Sequence, residues 1–552
     1  MIALEAGIVI ACVAIIYAVG FMFAETSDAN RQEPSIYSVN AGPHATPAPS
    51  GSAVKGIVLA LVVGGSVFFG AFLVQAFWAD IQEQLGFAPP LNETAESDID
   101  EIPAAPAVAG PVPEYLLPCS WQPRVDRMLD FNRRTLAAAY EKVGKRSPDW
   151  DESALLALEL TARQFSFGPD PQAQPKDIHT CTRKALDAGC DDPLILYIHY
   201  RFADNNVSEA EIEQGFAKAA KALQASKYPP FRRLSALNKA LESKLKRIHD
   251  PVIRAQTTRL VSDFLRLLAV SGREDEPCLD LEAVWHEFAR AAYDAQKKLG
   301  VDSEEAWRRV GDKLATAKPL EATRWLLRGD LYIQWAWEAR GSGYANMVPK
   351  DRWRIFDERL TFARDSLEKS WELSPGRSAS YMLSVELGKS RGRAEMEKWF
   401  ERAIQYDPST TVCGKKLEWL HPKWHGSTEE MLAFGRACRD SKNWERSFPL
   451  IMVDAHLRMA DMLSTEAAKR SYFRRPDVAA DIVYVYAKCV ERSPNDASLR
   501  SRYAYHCYLC GHPRRAHKQF QQLGDKLWWD DFFTEAKMKQ VRAEAAKYAS
   551  LK

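Results

Sequence analysis

The sequence has almost no net charge. Lys and Arg number 74 against 73 for Asp and Glu, which excludes a general electrostatic attraction to nucleic acid or acidic ligands and leaves any partner to local patches. It has no long alternating run of β-branched residues, so extended sheet is excluded as the main architecture. It has no dense cysteine framework. The ten cysteines fall mostly in helical patterns, as Cys438 and Cys489 do, and read as small buried apolar residues rather than the staples of a secreted module. Enzyme signatures are missing too: His286-Glu287-Phe288-Ala289-Arg290 lacks the second His of a zinc-protease helix, and there is no Gly-x-Ser-x-Gly elbow or kinase set. No catalytic residue and no cofactor is therefore assigned.

Two stretches lack charge altogether, nineteen residues from Ala6 to Ala24 and twenty-three from Gly56 to Trp78. Each is long enough to cross a hydrocarbon core of about 30 Å at about 1.5 Å per residue, so two transmembrane helices are expected, within residues 1–24 and 56–78. A cleaved signal peptide is the rival for the first, but the run is preceded by Glu5, has no basic n-region and is followed by no small-x-small site. Trp78 beside Asp80 fits an interfacial anchor. The loop 25–55 carries Arg31 and Lys55, whereas 79–123 contains no Lys or Arg. The positive-inside rule then places the loop in the cytoplasm and the body on the extracytoplasmic side. The many unpaired thiols argue the other way, toward a reducing compartment. Residues 79–118 are acidic from Glu96 to Glu101 and then proline-rich, and read as a stiff spacer between bilayer and body.

Helical periodicity is abundant. Trp353, Phe356, Leu360, Ala363, Leu367 and Trp371 step by three and four, so all keep to one helical face, and the run stops at Ser374-Pro375-Gly376. A second run through Met396, Trp399, Phe400, Ala403 and Ile404 stops at Asp407-Pro408, thirty-three residues after the first stop. Proline cannot continue a helix, so the two prolines punctuate a helical-hairpin repeat in which Trp371 is expected to be buried between consecutive hairpins. Ser208, Asp302 and Ser427 each stand three residues before a Glu and read as helix caps. The fold class is all-α, with an irregular helical half of the body at 119–345 and repeats at 346–552. Most of the sixteen Trp lie between Trp285 and Trp444 and read as rings between stacked helices.

The C-terminal half resembles tetratricopeptide repeats, helix-turn-helix units of about 34 residues. Leu383, Phe400 and Ala403 match that family's first-helix Leu and second-helix aromatic and small residue. In the last hairpin Ala504, Gly511, Ala516 and Phe520 match its small residue, turn Gly, small residue and aromatic. Ser384 and Met396 depart from the pattern, and Pro494 follows Pro408 by 86 residues, which is no multiple of the period. The resemblance implies a degenerate α-solenoid. A second resemblance, to an uncharacterised family of bacterial helical proteins, is carried by Ala336-Trp337-Glu338-Ala339-Arg340-Gly341-Ser342-Gly343 and Leu420-His421-Pro422-Lys423-Trp424-His425-Gly426-Ser427. It implies that these stretches form one module and, with the two spans, a bacterial inner-membrane protein. It carries no activity.

Within that module Arg340, Tyr344, Lys423, Trp424 and His425 are the candidates for holding a protein or peptide partner. Arg340-Gly341-Ser342-Gly343-Tyr344 lacks the third Gly of a dinucleotide fingerprint and the Gly-Lys-Ser/Thr of a P-loop, so a glycine turn ending a helix is the plainer account. Lys423 to Ser427 offers a cation, an indole and an imidazole, against the plainer account of a loop whose Trp424 staples onto the next hairpin. His506, Cys507, Cys510, His512 and His517 are a dense group of metal-type ligands. Cys507 and Cys510, however, share the inward face with Tyr503, so packing is expected and no metal is assigned. The expectation is a membrane-anchored scaffold that binds a protein or peptide on a concave face. The alternative is a membrane-tethered enzyme centred near Arg340 to Tyr344 and Lys423 to Ser427, which a closed pocket of convergent, perturbed titratable groups would favour.

Overall fold

Capping residues and prolines set where the helices of this chain begin. The Ser208 and Ser427 hydroxyls each accept the backbone N–H three residues on at 3.2 Å, and Asp302 Oδ1 accepts those of Glu304 at 2.8 Å and Glu305 at 3.3 Å. Pro175, Pro193, Pro230, Pro476 and Pro513 stand in the first turn of their helices, where a missing N–H breaks no intrahelical bond. The computed structural model describes residues 110–118, 122–166, 173–203, 207–274, 281–341, 345–530 and 533–550. These are all-α, from Gln122–Thr135 to Glu535–Ser550, with no strand among them. The described residues all fall within one compact unit, Asn92–Lys552. Both uncharged runs, and the spacer as far as residue 109, lie outside the described residues. No helix among the described residues is long and apolar enough to cross a membrane.

Pro375 and Pro408 fall just after the helices Lys350–Leu373 and Arg393–Tyr406. Each helix is the second member of a hairpin: the first packs back along Glu321–Arg340, the second along Ser378–Gly388. The first hairpin is tight because Gly329 faces Leu367, where an added Cβ would stand 2.5 Å from the leucine Cγ. The 345/346 boundary read from the sequence falls in the loop of this hairpin. Helices also meet their next-but-one neighbours: Glu321–Arg340 meets Ser378–Gly388, which meets Thr410–Trp419, which meets Leu450–Asp461, which meets Pro476–Arg492. The same alternation joins Pro230–Leu245, Glu282–Lys298 and Glu321–Arg340.

The core follows this succession as three apolar clusters, with Tyr332 packed against the first and second and Met459 against the second and third. Phe356, Leu360, Ala363 and Leu367 are buried on one helix face as their spacing predicts. Trp371 departs from expectation, being half-buried. It lies edge-on to Trp399 at 5.8 Å and Tyr406 at 5.5 Å, with the Arg402 guanidinium 4.9 Å above its ring. It sits in the last turn of its helix, where the following hairpin covers one face only.

The end of the spacer also departs from expectation. Leu116 is fully buried, and the Tyr115 ring stands edge-on to Phe400 at 5.4 Å. Asn443 Nδ2 donates to the carbonyls of Leu116 at 3.1 Å and Leu117 at 3.4 Å. The buried Lys416 ammonium pairs with Glu397 at 2.5 Å, lies 3.3 Å from Tyr115 Oη, and sits 4.3 Å above the Phe400 ring. An apolar pair, Tyr115-Leu116, embedded among prolines thus pins the chain to helices some three hundred residues away.

Candidate functional site

The helix Glu321–Arg340 ends on Gly341 at φ +74°, a left-handed conformation natural to glycine. This turn holds Arg340 over two indoles, 5.6 Å from the Trp337 ring centre and 5.1 Å from that of Trp353. Trp337 meets Phe356 edge-on at 5.0 Å and Trp424 at 5.9 Å. Lys423 Nζ lies 5.6 Å from the Trp424 ring, and His425 Nε2 is 2.9 Å from the Leu387 carbonyl. The two stretches flagged in the sequence therefore meet, through Trp337 and Trp424. Trp424 meets Trp337 on an earlier hairpin. Arg340, Trp337, Trp353 and Trp424 are half-buried, and Lys423 and His425 are exposed at the rim. Tyr344 lies outside the described residues.

Cys507 and Cys510 are buried on the inward face with Tyr503, as their spacing predicts. Burial pushes the Cys510 thiol well above its ordinary value and lowers the neighbouring His506 imidazole to about 4. Among the described residues no group of three or more His, Cys, Asp or Glu could hold a metal ion.

The convergence of titratable groups lies elsewhere, on four helices that follow one another in the alternating series. His286 and Arg290, one turn apart on Glu282–Lys298, both face Asp330 on Glu321–Arg340: Arg290 Nη1 donates to Asp330 Oδ2 at 2.7 Å, and His286 Nε2 stands 3.3 Å from the same oxygen without the alignment of a good hydrogen bond. Arg290 also binds Asp294 and Gln334. His286 Nδ1 lies 3.4 Å from Tyr381 Oη on Ser378–Gly388, and the Lys415 ammonium of Thr410–Trp419 lies 5.2 Å from the centre of the Tyr381 ring. Burial alone would raise the Asp330 pKa, but His286 and Arg290 outweigh it and hold the carboxyl below its usual range. Burial pushes the Tyr381 phenol up to about 12. It also pushes the Lys415 ammonium below its usual value, with Asp330 opposing and Arg377 assisting. Glu282, whose Oε2 accepts the Arg377 backbone N–H at 2.7 Å, is raised by burial against the charges of Arg377 and Arg124.

A sequence scan sees only the His286/Arg290/Asp294 ladder, at i and i+4, and read the first two as a failed zinc motif. Asp330, Tyr381 and Lys415 arrive from three other helices at no fixed spacing. A second assembly of the same composition lies deep in the C-terminal half. Tyr472 Oη meets His456 Nδ1 at 2.8 Å, His456 Nε2 meets Asp481 Oδ2 at 3.2 Å, and Arg439 Nη1 donates to Asp481 Oδ1.

No family model matches the chain, and no curated protein matches it.

Proposed function

We propose that this chain is a membrane-anchored, tetratricopeptide-like helical-repeat scaffold that docks another protein or peptide. The observation that carries the reading is the corner where Arg340 lies over Trp337 and Trp353 while Trp424 meets Trp337 edge-on. Half-buried indoles and Arg are the side chains that concentrate binding energy at protein surfaces, since they offer large rigid contact area at small entropic cost. The next-but-one contacts of successive helices support the repeat part of the reading, because units in such arrays are stabilised by their neighbours. The uncharged runs 6–24 and 56–78 support the anchor, and the Arg31 and Lys55 loop supports an extracytoplasmic body in a bacterial inner membrane.

The test is a photo-crosslinking side chain placed at the exposed position Lys423 of the full-length chain in its native membrane. A discrete protein adduct is expected, weakened at least about tenfold by Trp424→Ala or Arg340→Ala, as truncating an interface anchor should do. An adduct that survives both substitutions, or labelling of lipid alone, would overturn the reading.

A further inference from the structure

Cys438 is buried, as its place in a helical pattern suggests, but its sulfur does not pack against carbon alone. Cys413 on Thr410–Trp419 and Cys438 on Thr428–Asp440 are both fully buried, in the same apolar cluster as Leu116. The Cys438 thiol hydrogen-bonds to the Cys413 sulfur. The packing around the pair agrees with that contact. Lys416 Nζ lies 4.8 Å from the centre of the Phe434 ring. Cys413 stands one turn before Lys416, and Cys438 one turn after Phe434, so the thiols meet in the antiparallel register that the Lys416 and Phe434 contact sets.

The Tyr115-Leu116 pair is fastened to both thiol-bearing helices beside the sulfurs. On one side Lys416 Nζ lies 3.3 Å from Tyr115 Oη and 5.5 Å from its ring centre. On the other, Asn443 Nδ2 donates to the Leu116 carbonyl, the Asn443 backbone N–H donates to Ser441 Oγ at 3.2 Å, and Ser441 Oγ donates to the Cys438 carbonyl at 2.7 Å. Lys442, between Ser441 and Asn443, is held at φ +53°, a left-handed conformation costly to a residue with a side chain. Both sulfurs are near enough to act electrostatically on the Tyr115 phenol. Burial and the bond to Cys413 push the Cys438 thiol well above its ordinary value. Only a thiolate attacks a disulfide, so the pair is inert while covered. Admitting water removes the desolvation penalty and leaves the Lys416 charge, which favours thiolate.

We propose that Cys413 and Cys438 are a covered redox site, which closes to a disulfide by exchange with a small-molecule disulfide when Tyr115 and Leu116 lift away. One cysteine loses its proton to solvent and attacks a sulfur of the oxidant, forming a mixed disulfide and expelling a thiolate. The second cysteine, deprotonated in turn, displaces the other half. The two expelled thiolates take up the two protons, so two protein thiols are oxidised and one disulfide is reduced to two thiols. The new bond ties Thr410–Trp419 to Thr428–Asp440 beneath the seat of the Tyr115 ring. The site shares no residue with the Trp337 and Trp424 corner, so it goes beyond the docking reading and stands apart from it.

The test exposes the full-length chain to oxidised glutathione and maps linked peptides by mass spectrometry. A linkage of Cys413 to Cys438 is expected, with two glutathiones released for each disulfide. Leu116→Ala, which loosens the cover, should form it at least about tenfold faster, because loss of a buried leucine raises local opening. Asn443→Ala should do the same by a smaller factor. Cys438→Ala should instead leave glutathione on Cys413. Alkylation of Cys489 and Cys507, buried in the third cluster, reports general unfolding and should keep the parent rate in both cover variants. Arg340→Ala should leave the linkage rate unchanged even where it weakens partner crosslinking. The assignment is overturned if neither cover variant forms the linkage, if the parent forms it as fast as Leu116→Ala, or if Cys489 and Cys507 speed up in step with it.

Discussion

Two assemblies of Arg, Asp, His and Tyr occur in this molecule, and they differ in depth and alignment rather than in composition. In the second, the side chains of Arg439, Asp481 and His456 are 3%, 5% and 2% exposed, and Tyr472 reaches its histidine at 2.8 Å. In the first, the side chains of Arg290 and Asp330 are 27% and 17% exposed, and Tyr381 lies 3.4 Å from His286. A closed, aligned assembly clamps helices together, because each member satisfies another's desolvated polar group. A looser one that ends at a half-buried phenol can act on something outside itself. The same residue types thus serve as a bolt in one place and as a bracket in the other.

That contrast breaks most visibly at the arginines. Arg439→Met leaves Asp481 as a buried charge short of its main partner and should cost about 3–5 kcal/mol in denaturant unfolding. Arg290→Met acts on a partly solvated pair and should cost about 1 kcal/mol. Equal losses would mean that depth does not separate the two. At the tyrosines the contrast is smaller. Tyr472→Phe strips a buried imidazole nitrogen of its short hydrogen bond and should cost about 1–3 kcal/mol, whereas Tyr381→Phe removes a long contact and should cost under about 1 kcal/mol. A Tyr381→Phe loss as large as that of Tyr472→Phe would make the first assembly structural too.

The smallest effect is in acid. Burial raises the pKa of Asp481, but His456 and Arg439 outweigh it, so that both Asp481 and Asp330 are held below the ordinary carboxylate range. A depressed carboxyl contributes stability that is fully present above its unfolded pKa of about 3.9 and is lost as pH falls through the lower folded value. Unfolding of the parent should therefore weaken between about pH 4 and pH 2 more steeply than that of Asp481→Asn, with Asp330→Asn intermediate. Parallel acid limbs in parent and Asp481→Asn would remove Asp481 from the account.

Much of the helical scaffold was legible because its signals are local. The Phe356 to Leu367 stripe, the caps at Ser208, Asp302 and Ser427, and the inward Cys507, Cys510 and Tyr503 all depend on neighbours within a turn or two of one helix. The phase of Trp371 was readable but its depth was not, since depth depends on where the next hairpin ends. The meeting of Arg340 with Trp424's partner Trp337 was approachable through the shared module. The convergence of His286, Asp330, Tyr381 and Lys415 was not: these residues come from four helices spread over more than a hundred positions, and nothing at Lys415 itself distinguishes it from the adjacent Lys416, which is buried against Glu397 and Phe400. The Tyr115-Leu116 pair was hidden by the prolines around it, whose composition speaks for an extended spacer.

That pair also sets how force would travel through the fold. Tension arriving along the chain from residue 110 meets first the Asn443 hydrogen bonds to Leu116 and Leu117 and the Lys416 contact with Tyr115, and next the bond from Arg124 to the Tyr406 carbonyl. A pull from the amino-terminal side is therefore delivered to the middle of the carboxyl-terminal half before it loads Gln122–Thr135 and the helices that follow. The two halves would be strained in series rather than peeled from the first helix, with the Tyr115-Leu116 latch as the link that yields first.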